Sequence, residues 1–491
     1  MRTSSALVAV ATLNQITHGL ALPERRHGPK VLGLEMQRRA PRNLIHRDRK
    51  LRKRGTLEIG LDNEETLYFI NGTVGTPPNP VRLHLDTGSS DLWVNTPSSE
   101  LCSSSDNPCA FAGTYSANSS STYEYISSNF NISYVDGSGA SGDYVSDTVT
   151  IGSQKIDRLQ FGIGYSSTNS QGILGIGYPL NEVQVGRAGL PPYNNLPAQL
   201  VADGVIRSMA YSIWLNDLDA NTGNILFGGV DTEKYTPPLL SVPVESASDA
   251  VSEFMITLTG LKLGSQTIGP PELAIAVLLD TGSSLTYLPD ALVSEIYAAV
   301  GAVFDGGANA AYVPCSLARN ESAPPLVFTF SEPAIAVGMD ELVLDLAVTG
   351  SGGGGDGGSS SNGRPTFDNG APACLFGIGP AGAGTFVLGD TFLRSAYVVY
   401  DMENDQVALA PARFNASASS RVVEIGSGPD AIPGATRVSN PVKPTDGLRG
   451  VNVRTETAAA ARAGLGGGGG GTMRLMAACA TLVLVVLGGL I

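Results

Sequence analysis

The chain has 491 residues, among them 60 Gly and 30 Pro, and a formal net charge of -14. Hydrophobic residues make up 42% and charged residues 15%, a balance that excludes a chain disordered over its whole length. The length allows two or three domains, and the many glycines and prolines favour short strands and turns, so we expect a mainly β protein.

The charge is divided between a basic head and an acidic body. Residues 1–54 hold 13 Lys and Arg against 3 acids, and the remainder holds 18 against 42. We predict a signal peptide at 1–21 and a basic pro-segment at 22–54 that ends in the dibasic pair Lys53–Arg54. The alternative, an arm that binds nucleic acid, is less favoured because the acidic body would repel phosphate.

The sequence LDTGSS occurs twice, at 85–90 and 279–284, each time after an apolar stretch typical of a buried strand. An acid at such a place is costly unless it is hydrogen-bonded or used chemically. Similar apolar-Gly segments follow the two copies at comparable distances, GILGIG at 172–177 and FVLGD at 386–390. We interpret the chain as one structural plan used twice.

This interpretation gives an N-terminal lobe at 55–240 and a C-terminal lobe at 241–415, with a Gly/Ser-rich insert at 348–365 expected to be a disordered loop. The change between lobes would fall in the proline-rich stretch 235–246. Helical patterns are few. The best are at 196–203 and at 290–300, the second opening with Asp290 as its cap.

The cysteines and histidines limit the chemistry. Five cysteines suit an oxidising compartment, and the four in the body allow three pairings, of which locality favours Cys102 with Cys109 and Cys315 with Cys374. No Cys-x-x-Cys or histidine cluster indicates a zinc site. Only His84 of four histidines follows the basic head, so a metal or Ser-His-Asp mechanism lacks its residues.

Five Asn-x-Ser/Thr triplets agree with secretion, although single triplets also arise by chance in a Ser-rich chain. They predict glycosylation at Asn71, Asn118, Asn131, Asn320 and Asn415.

The C-terminal region changes composition. From about residue 416 it is rich in Ser, Gly, Pro, Thr and Ala, and we predict a flexible linker with a lipid-attachment region at 416–474. Residues 475–491 carry no charge, and no basic residue follows them. This favours a glycosylphosphatidylinositol (GPI) attachment signal over the alternative, a transmembrane anchor.

The repeated acids, Asp86 and Asp280, predict one shared catalytic site. Two carboxylates held close together cannot both ionise, so one can activate water as a base while the other protonates a carbonyl oxygen. The turns also supply small residues that allow close approach and serines that donate hydrogen bonds to an ionised carboxylate. These are Gly88, Ser89, Gly282 and Ser283.

With both motifs in place, residues 66–415 resemble the pepsin-like aspartic endopeptidases, and the whole chain is similar to fungal yapsin-like (OpsB-type) members with a GPI anchor. The resemblance implies a bilobed β fold with a six-stranded interdomain sheet beneath a long cleft, one catalytic Asp from each lobe, and ψ-shaped loops completed at Gly175 and Gly389. It also implies a monomer that acts on proteins or peptides at acid pH, without cofactor or metal.

The resemblance assigns further positions. Tyr134 matches the flap tyrosine and Trp93 the tryptophan that hydrogen-bonds to it, unless both are ordinary core aromatics. Val135 departs from the usual flap glycine. Asp136 matches an acid that accepts a basic substrate side chain, although Asp136–Gly137 also suits a plain hairpin turn. Basic residues of the leader, Arg38–Arg39 or Lys50–Arg54, would cover the catalytic acids.

Two other kinds of protein remain as alternatives. One is a catalytically silent relative that binds proteins or wall polymers in its cleft, and the other is a structural wall glycoprotein. The first is disfavoured because both acids, Tyr134 and Trp93 are intact. The second leaves the paired acids unexplained.

Overall fold

The computed structural model describes residues 29–39, 67–134, 137–220, 222–345, 365–416 and 420–448. The predicted signal peptide, most of the predicted pro-segment, Asp136, all but the last residue of the insert and the apolar C-terminus therefore lie outside the described residues. In the described part, no helix is both long and apolar enough to cross a membrane.

The described residues form a mainly β structure with 29 strands, which confirms the expected fold class. The strands up to the middle of the chain are β1 Leu32–Arg39, β2 Leu67–Val74, β3 Asn79–Asp86, β4 Leu92–Asn95, β5 Glu124–Ser133, β6 Gly139–Ile151, β7 Gln154–Ser167, β8 Gly172–Gly175, β9 Ala210–Trp214, β10 Thr222–Phe227, β11 Gly229–Asp231 and β12 Leu239–Pro243.

The remaining strands carry the second LDTGSS copy and the C-terminal segment. They are β13 Met255–Leu258, β14 Gly260–Leu263, β15 Gln266–Ile268, β16 Ile275–Leu279, β17 Thr286–Leu288, β18 Val303–Asp305, β19 Ala310–Pro314, β20 Leu326–Thr329, β21 Ala334–Val337, β22 Val343–Leu344, β23 Ala373–Phe376, β24 Ile378–Pro380, β25 Val387–Leu388, β26 Ala396–Asp401, β27 Gln406–Pro411, β28 Val422–Glu424 and β29 Ala435–Arg437.

Helices are short. The described residues contain α1 Val183–Ala188, α2 Leu196–Ala202, α3 Asp290–Val300, α4 Met339–Leu342 and α5 Asp390–Leu393. Both predicted helices are present as α2 and α3. Asp290 is the first residue of α3 rather than its cap, which is Pro289.

One sheet of fourteen strands joins the two halves of the sequence. Its order is β29-β12-β27-β26-β9-β10-β1-β2-β3-β8-β4-β7-β6-β5. Six neighbours from β12 to β1 pair antiparallel and draw strands from both halves, as the resemblance implied. The proline-rich stretch 235–246 supplies β12 to this sheet.

The strands that lead to the acids are buried on both faces. All five residues of β16 are buried, and β3 is buried over its last four residues. Parallel pairing to a neighbouring strand suits such continuous apolar sequences. The two acids are thus placed at the ends of well-packed strands.

Part of the predicted leader is a strand of this sheet. β1 pairs with β10 on one side and with β2 on the other, and Leu32, Leu34 and Met36 are buried. Arg38 does not cover the catalytic acids. The charges that affect its guanidinium are those of Glu341, Arg394 and Asp219 instead. The expectation was therefore wrong for this residue. The side chain of Arg39 and residues 50–54 lie outside the described part.

The predicted flexible linker is wrong over residues 420–448. Here β28 pairs antiparallel with β11 and β29 pairs parallel with β12. Ile425, Ile432 and Val438 are buried against the body. Isolated apolar residues in a Ser- and Gly-rich sequence give no periodic signal, although each can still fill a gap on the surface of a large domain.

Candidate active site

The two LDTGSS turns converge on one point, as their repetition predicted. Asp86 ends β3, and Asp280 directly follows β16. Each of these strands pairs parallel with an apolar-Gly segment: β3 with β8 up to Gly175, and β16 with β25 just before Gly389. These pairings confirm the two ψ-shaped loops.

Glycine is required at the contact between the turns. A Cβ on Gly88 would lie 2.6 Å from Oδ1 of Asp280, and one on Gly282 would lie 2.6 Å from Oδ1 of Asp86. Backbone N–H groups of the same glycines donate to the carboxylates, Gly88 to Asp86 at 2.8 Å and Gly282 to Asp280 at 2.7 Å. Any side chain at either position would separate the acids.

The serines donate to the outer carboxylate oxygens. Ser89 Oγ lies 2.5 Å from Oδ2 of Asp86, and Ser283 Oγ lies 2.8 Å from Oδ2 of Asp280. Both acids are almost completely buried, at 5% and 9% exposed. Donors fixed in this way favour a negative charge that burial alone would disfavour.

Asp280 is the acid that keeps a proton. Burial, followed by the nearby charge of Asp86, raises the pKa of Asp280 to about 7, while the hydrogen bonds from Ser283 and Gly282 act against this rise. The two carboxyls also share a hydrogen bond. Below neutral pH the pair therefore holds one proton, as the acid-base scheme requires.

Thr87 and Thr281 fasten the turns to each other, a role that the sequence did not reveal. Thr87 N donates to Thr281 Oγ1 at 3.1 Å, and Thr281 N donates to Thr87 Oγ1 at 3.0 Å. The two hydroxyls then donate to the carbonyls of Leu279 and Leu85, each at 2.9 Å. The result is a buried, closed set of four hydrogen bonds beneath the acids.

The flap tyrosine and its tryptophan are where the resemblance placed them. Trp93 Nε1 donates to the Tyr134 hydroxyl at 2.7 Å, and this hydroxyl also hydrogen-bonds with Ser89. Burial raises the pKa of Tyr134 well above its usual range, so the phenol stays protonated. A chain of hydrogen bonds thus runs from Trp93 to Asp86.

An open cleft of about 320 Å³ lies over the acids. His84 lines it, with Nε2 3.3 Å from the Thr281 carbonyl oxygen, and burial lowers the pKa of this imidazole to about 4. Glu253 also lines it. The sequence analysis identified neither as a cleft residue. The position of His84 two residues before Asp86 in a strand was the signal that could have placed it on the same face as the acid.

Asp91 supports the flap side of the site from below and was also missed. It is fully buried and accepts hydrogen bonds from the Tyr144 hydroxyl at 2.5 Å, the Tyr193 hydroxyl at 3.0 Å and Val183 N at 2.9 Å. Burial raises the pKa of Asp91. Its place next to the first motif was the signal that could have revealed it.

The predicted disulfides are both present, Cys102–Cys109 and Cys315–Cys374. The second pair lies near Asp345. Because its sulfurs are bonded to each other, this group offers no thiolate for a metal.

All five sequon asparagines are exposed to solvent, so each is open to glycan attachment: Asn71, Asn118, Asn131, Asn320 and Asn415.

The family model for eukaryotic aspartyl proteases matches residues 67–353 and 362–412. The chain belongs to this family. It is 51% identical to the probable aspartic-type endopeptidase opsB of Aspergillus oryzae over 449 residues, which cover 90% of this chain and 88% of the relative. An acid protease of Saccharomycopsis fibuligera is 34% identical over 363 residues, 72% of this chain and 83% of the relative.

A solved structure agrees with the fold. The crystal structure of the aspartic proteinase from Irpex lacteus aligns with a TM-score of 0.56 at 24% identity, over 72% of this chain and 96% of that one. The family membership and the curated relatives show an aspartic-type endopeptidase, which acts on peptides, and the solved structure shows its pepsin-like fold. Asp86 and Asp280 occupy the geometry that this chemistry needs.

Proposed function

We propose that this protein is a secreted, GPI-anchored endopeptidase that works at acid pH and prefers basic residues near the scissile bond. The observation that carries its chemistry is the buried pair Asp86 and Asp280, of which Asp280 has a pKa of about 7. In this scheme the ionised carboxylate takes a proton from water as it attacks the peptide carbonyl, and Asp280 gives its proton to the carbonyl oxygen.

Collapse of the tetrahedral intermediate returns the pair to its starting state. The nitrogen of the leaving group accepts the proton that Asp86 took from water, and the C–N bond breaks. A hydroxyl of the intermediate returns its proton to Asp280 as the new carbonyl forms, so the two carboxyls again hold one proton between them. Tyr134 closes over the bound peptide, with Trp93 holding its hydroxyl. The cycle needs no group beyond these side chains and water.

Secretion and anchoring are proposed from the two ends of the chain. The signal-like residues 1–21, two disulfides and five exposed sequons fit an exported protein. The uncharged residues 475–491 lie shortly after a run of six glycines, a pattern that fits a signal exchanged for a lipid.

Treatment of intact cells with a phospholipase that cleaves GPI anchors tests this localisation. The proposal expects release of the full catalytic body into the medium. A chain ending at residue 474 should appear in the medium without that treatment. If the phospholipase releases no protein while the detergent-extracted protein still contains residues 475–491, the anchor is a transmembrane one.

We also propose a zymogen that is processed after Lys53–Arg54. Because β1 is held by pairing on both edges, cleavage there would leave the strand bound until its contacts with the sheet loosen. A precursor with both basic residues replaced by alanine should be much less active than the processed enzyme. Equal activity would show that the leader is not inhibitory.

The basic preference is proposed from Asp136 and from the acidic body, whose charge attracts cationic peptides. Digestion of a peptide library by wild type and by Asp136→Ala tests the flap residue. The proposal expects fewer cleavages next to Lys and Arg in the variant. An unchanged ratio of basic to apolar sites would remove Asp136 from the account.

A further inference from the structure

A small side pocket of about 40 Å³ adjoins the catalytic cleft. Glu253 and Thr385 line both spaces, so the pocket continues the cleft on the side of Asp280. Its other walls combine acidic, hydroxyl-bearing and apolar side chains with one piece of the C-terminal segment. They comprise Glu245, Ser246, Ala247, Ser248, Ser252, Met255, Gly447 and Leu448.

The C-terminal segment is fixed in this position by backbone pairing. Thr445 N donates to the Ala274 carbonyl at 2.9 Å, and Ala276 N donates to the Asp446 carbonyl at 2.8 Å. Gly447 has a φ of +86°, in the left-handed region, and a Cβ there would lie 2.5 Å from the carbonyl oxygen of Ala276. These contacts attach the segment to β16, the strand that leads directly to Asp280.

This wall lies beyond the part of the chain that the family model matches, which ends at residue 412. It is therefore an addition to the shared catalytic body. Because it is paired to β16, its position relative to the catalytic acids is as firmly defined as that of the strand itself. A segment held in this way can shape a binding site.

The carboxylates in the pocket lack enough cations. Glu245 is 5% exposed. Its Oε2 pairs with Lys443 Nζ at 2.9 Å, but its buried Oε1 has no hydrogen-bond partner among the described residues. The carboxylate of Glu253 has no ion pair or side-chain hydrogen bond in that part of the chain. A buried acceptor left without a donor, as Glu245 Oε1 is, costs free energy, and a cationic ligand would satisfy it.

We propose that this side pocket is a substrate subsite that binds the charged head group of a lysine or arginine side chain, with Glu253 at its entrance and residues 445–448 as its outer wall. The inference rests on the proposed basic preference and assigns part of it to a place other than the flap. The pocket is large enough for a few water-sized groups, hence for an ammonium or guanidinium head, while the aliphatic stem lies in the cleft.

The electrostatic surroundings fit a cation. Burial and the charge of Asp280 raise the pKa of Glu253, so this carboxyl loses its proton reluctantly in the empty enzyme. A bound ammonium or guanidinium favours the ionised form and offsets that rise. The serines that line the pocket offer further acceptors to a head group with several N–H donors.

The test compares kcat/KM for peptides that carry either lysine or norleucine at each position around the scissile bond. We expect Glu253→Gln to lower the lysine-to-norleucine ratio about tenfold, and at one position only, because one charge-assisted contact is lost. Lys443→Met removes the competing cation from Glu245 and should raise the same ratio. Glu100→Gln, at an exposed acid outside the pocket, is the control and should change neither ratio.

Two outcomes distinguish a failure of the side-pocket subsite from a failure of the proposed basic preference. If wild type prefers lysine and Glu253→Gln keeps the ratio at every position, the pocket is not the subsite, although the basic preference stands. If wild type shows no lysine preference anywhere, the proposed preference itself fails. If Glu253→Gln does not fold, the test is the lysine-to-norleucine ratio of Lys443→Met. An unchanged ratio in that variant overturns the proposal.

Discussion

Thr87 and Thr281, 194 residues apart in the chain, each donate a backbone N–H to the other's side-chain hydroxyl, at 3.1 and 3.0 Å. Each hydroxyl in turn donates a hydrogen bond to the carbonyl of the residue that precedes the opposite acid. Each threonine needs the other to complete its hydrogen bonds. The positions of Asp86 and Asp280 are therefore set jointly by both turns.

Replacement of either threonine by valine should weaken this joint. We expect Thr281→Val to lower the free energy of unfolding by about 1–3 kcal/mol, because buried donors and acceptors lose their partners. The double variant should lose less than the sum of the two singles, since the residues act as a unit. Denaturant unfolding of the four proteins measures this coupling.

Thr267→Val, at an exposed strand position, is the matched control and should leave stability within about 0.5 kcal/mol of wild type. Strictly additive losses from Thr87→Val and Thr281→Val would show that the two hydroxyls do not act together.

Activity should fall as pH rises through about 7, the pKa of Asp280, because the pair then loses the proton that the carbonyl oxygen needs.

The hydrogen bond from Ser283 lowers the pKa of Asp280, so removal of this bond should raise that pKa. Ser283→Ala should move the alkaline limb of the kcat/KM profile to higher pH, by about one unit. Ser265→Ala, at an exposed turn, should not move it. A shift to lower pH in Ser283→Ala would contradict the assignment of the proton to Asp280.

The two disulfides should differ in their contribution to stability. Cys315–Cys374 spans 59 residues and Cys102–Cys109 spans 7, and the entropy removed from the unfolded chain grows with the loop. Replacement of both cysteines by serine should therefore cost about 4 kcal/mol for the long loop and about 2 kcal/mol for the short one. Thermal unfolding of the two double variants provides the comparison, and a larger loss for the short loop would contradict it.

The C-terminal segment should be needed for a stable body. A chain ending at residue 416 loses the burial of Ile425, Ile432 and Val438, each contributing about 1.5–3 kcal/mol when fully buried. A chain ending at residue 448 keeps them. We expect a clearly lower melting temperature for the shorter chain than for the longer one. Equal melting temperatures would mean that residues 420–448 pack against the body without adding to its stability.

The sequence predicted those features that depend on local patterns. LDTGSS appears twice as a short string, so Asp86 and Asp280 could be paired before any geometry was known. Cys102 and Cys109 are close enough in sequence for their pairing to be favoured. Features that depend on distant contacts were missed. Glu253 meets the cleft only because β13 packs beside β16, and its own neighbours in sequence give no sign of this.

The average composition of a segment led to a wrong prediction of a flexible linker. Residues 420–448 are rich in Ser, Gly and Pro, yet a few apolar residues at irregular spacing suffice to attach them to the body. Arg38 shows a related limit: its charge favoured contact with the catalytic acids, whereas the register of β1 places it beside Glu341 and Arg394.

The central claim is that Asp86 and Asp280 perform the hydrolysis together. The most direct test is kcat for the processed Asp86→Asn enzyme on a peptide that wild type cleaves, with circular dichroism to show that the variant is folded. The account predicts a loss of at least about 10²–10⁴-fold, and no loss in Asp106→Asn, where the acid is exposed. A folded Asp86→Asn enzyme that keeps its wild-type kcat would contradict it.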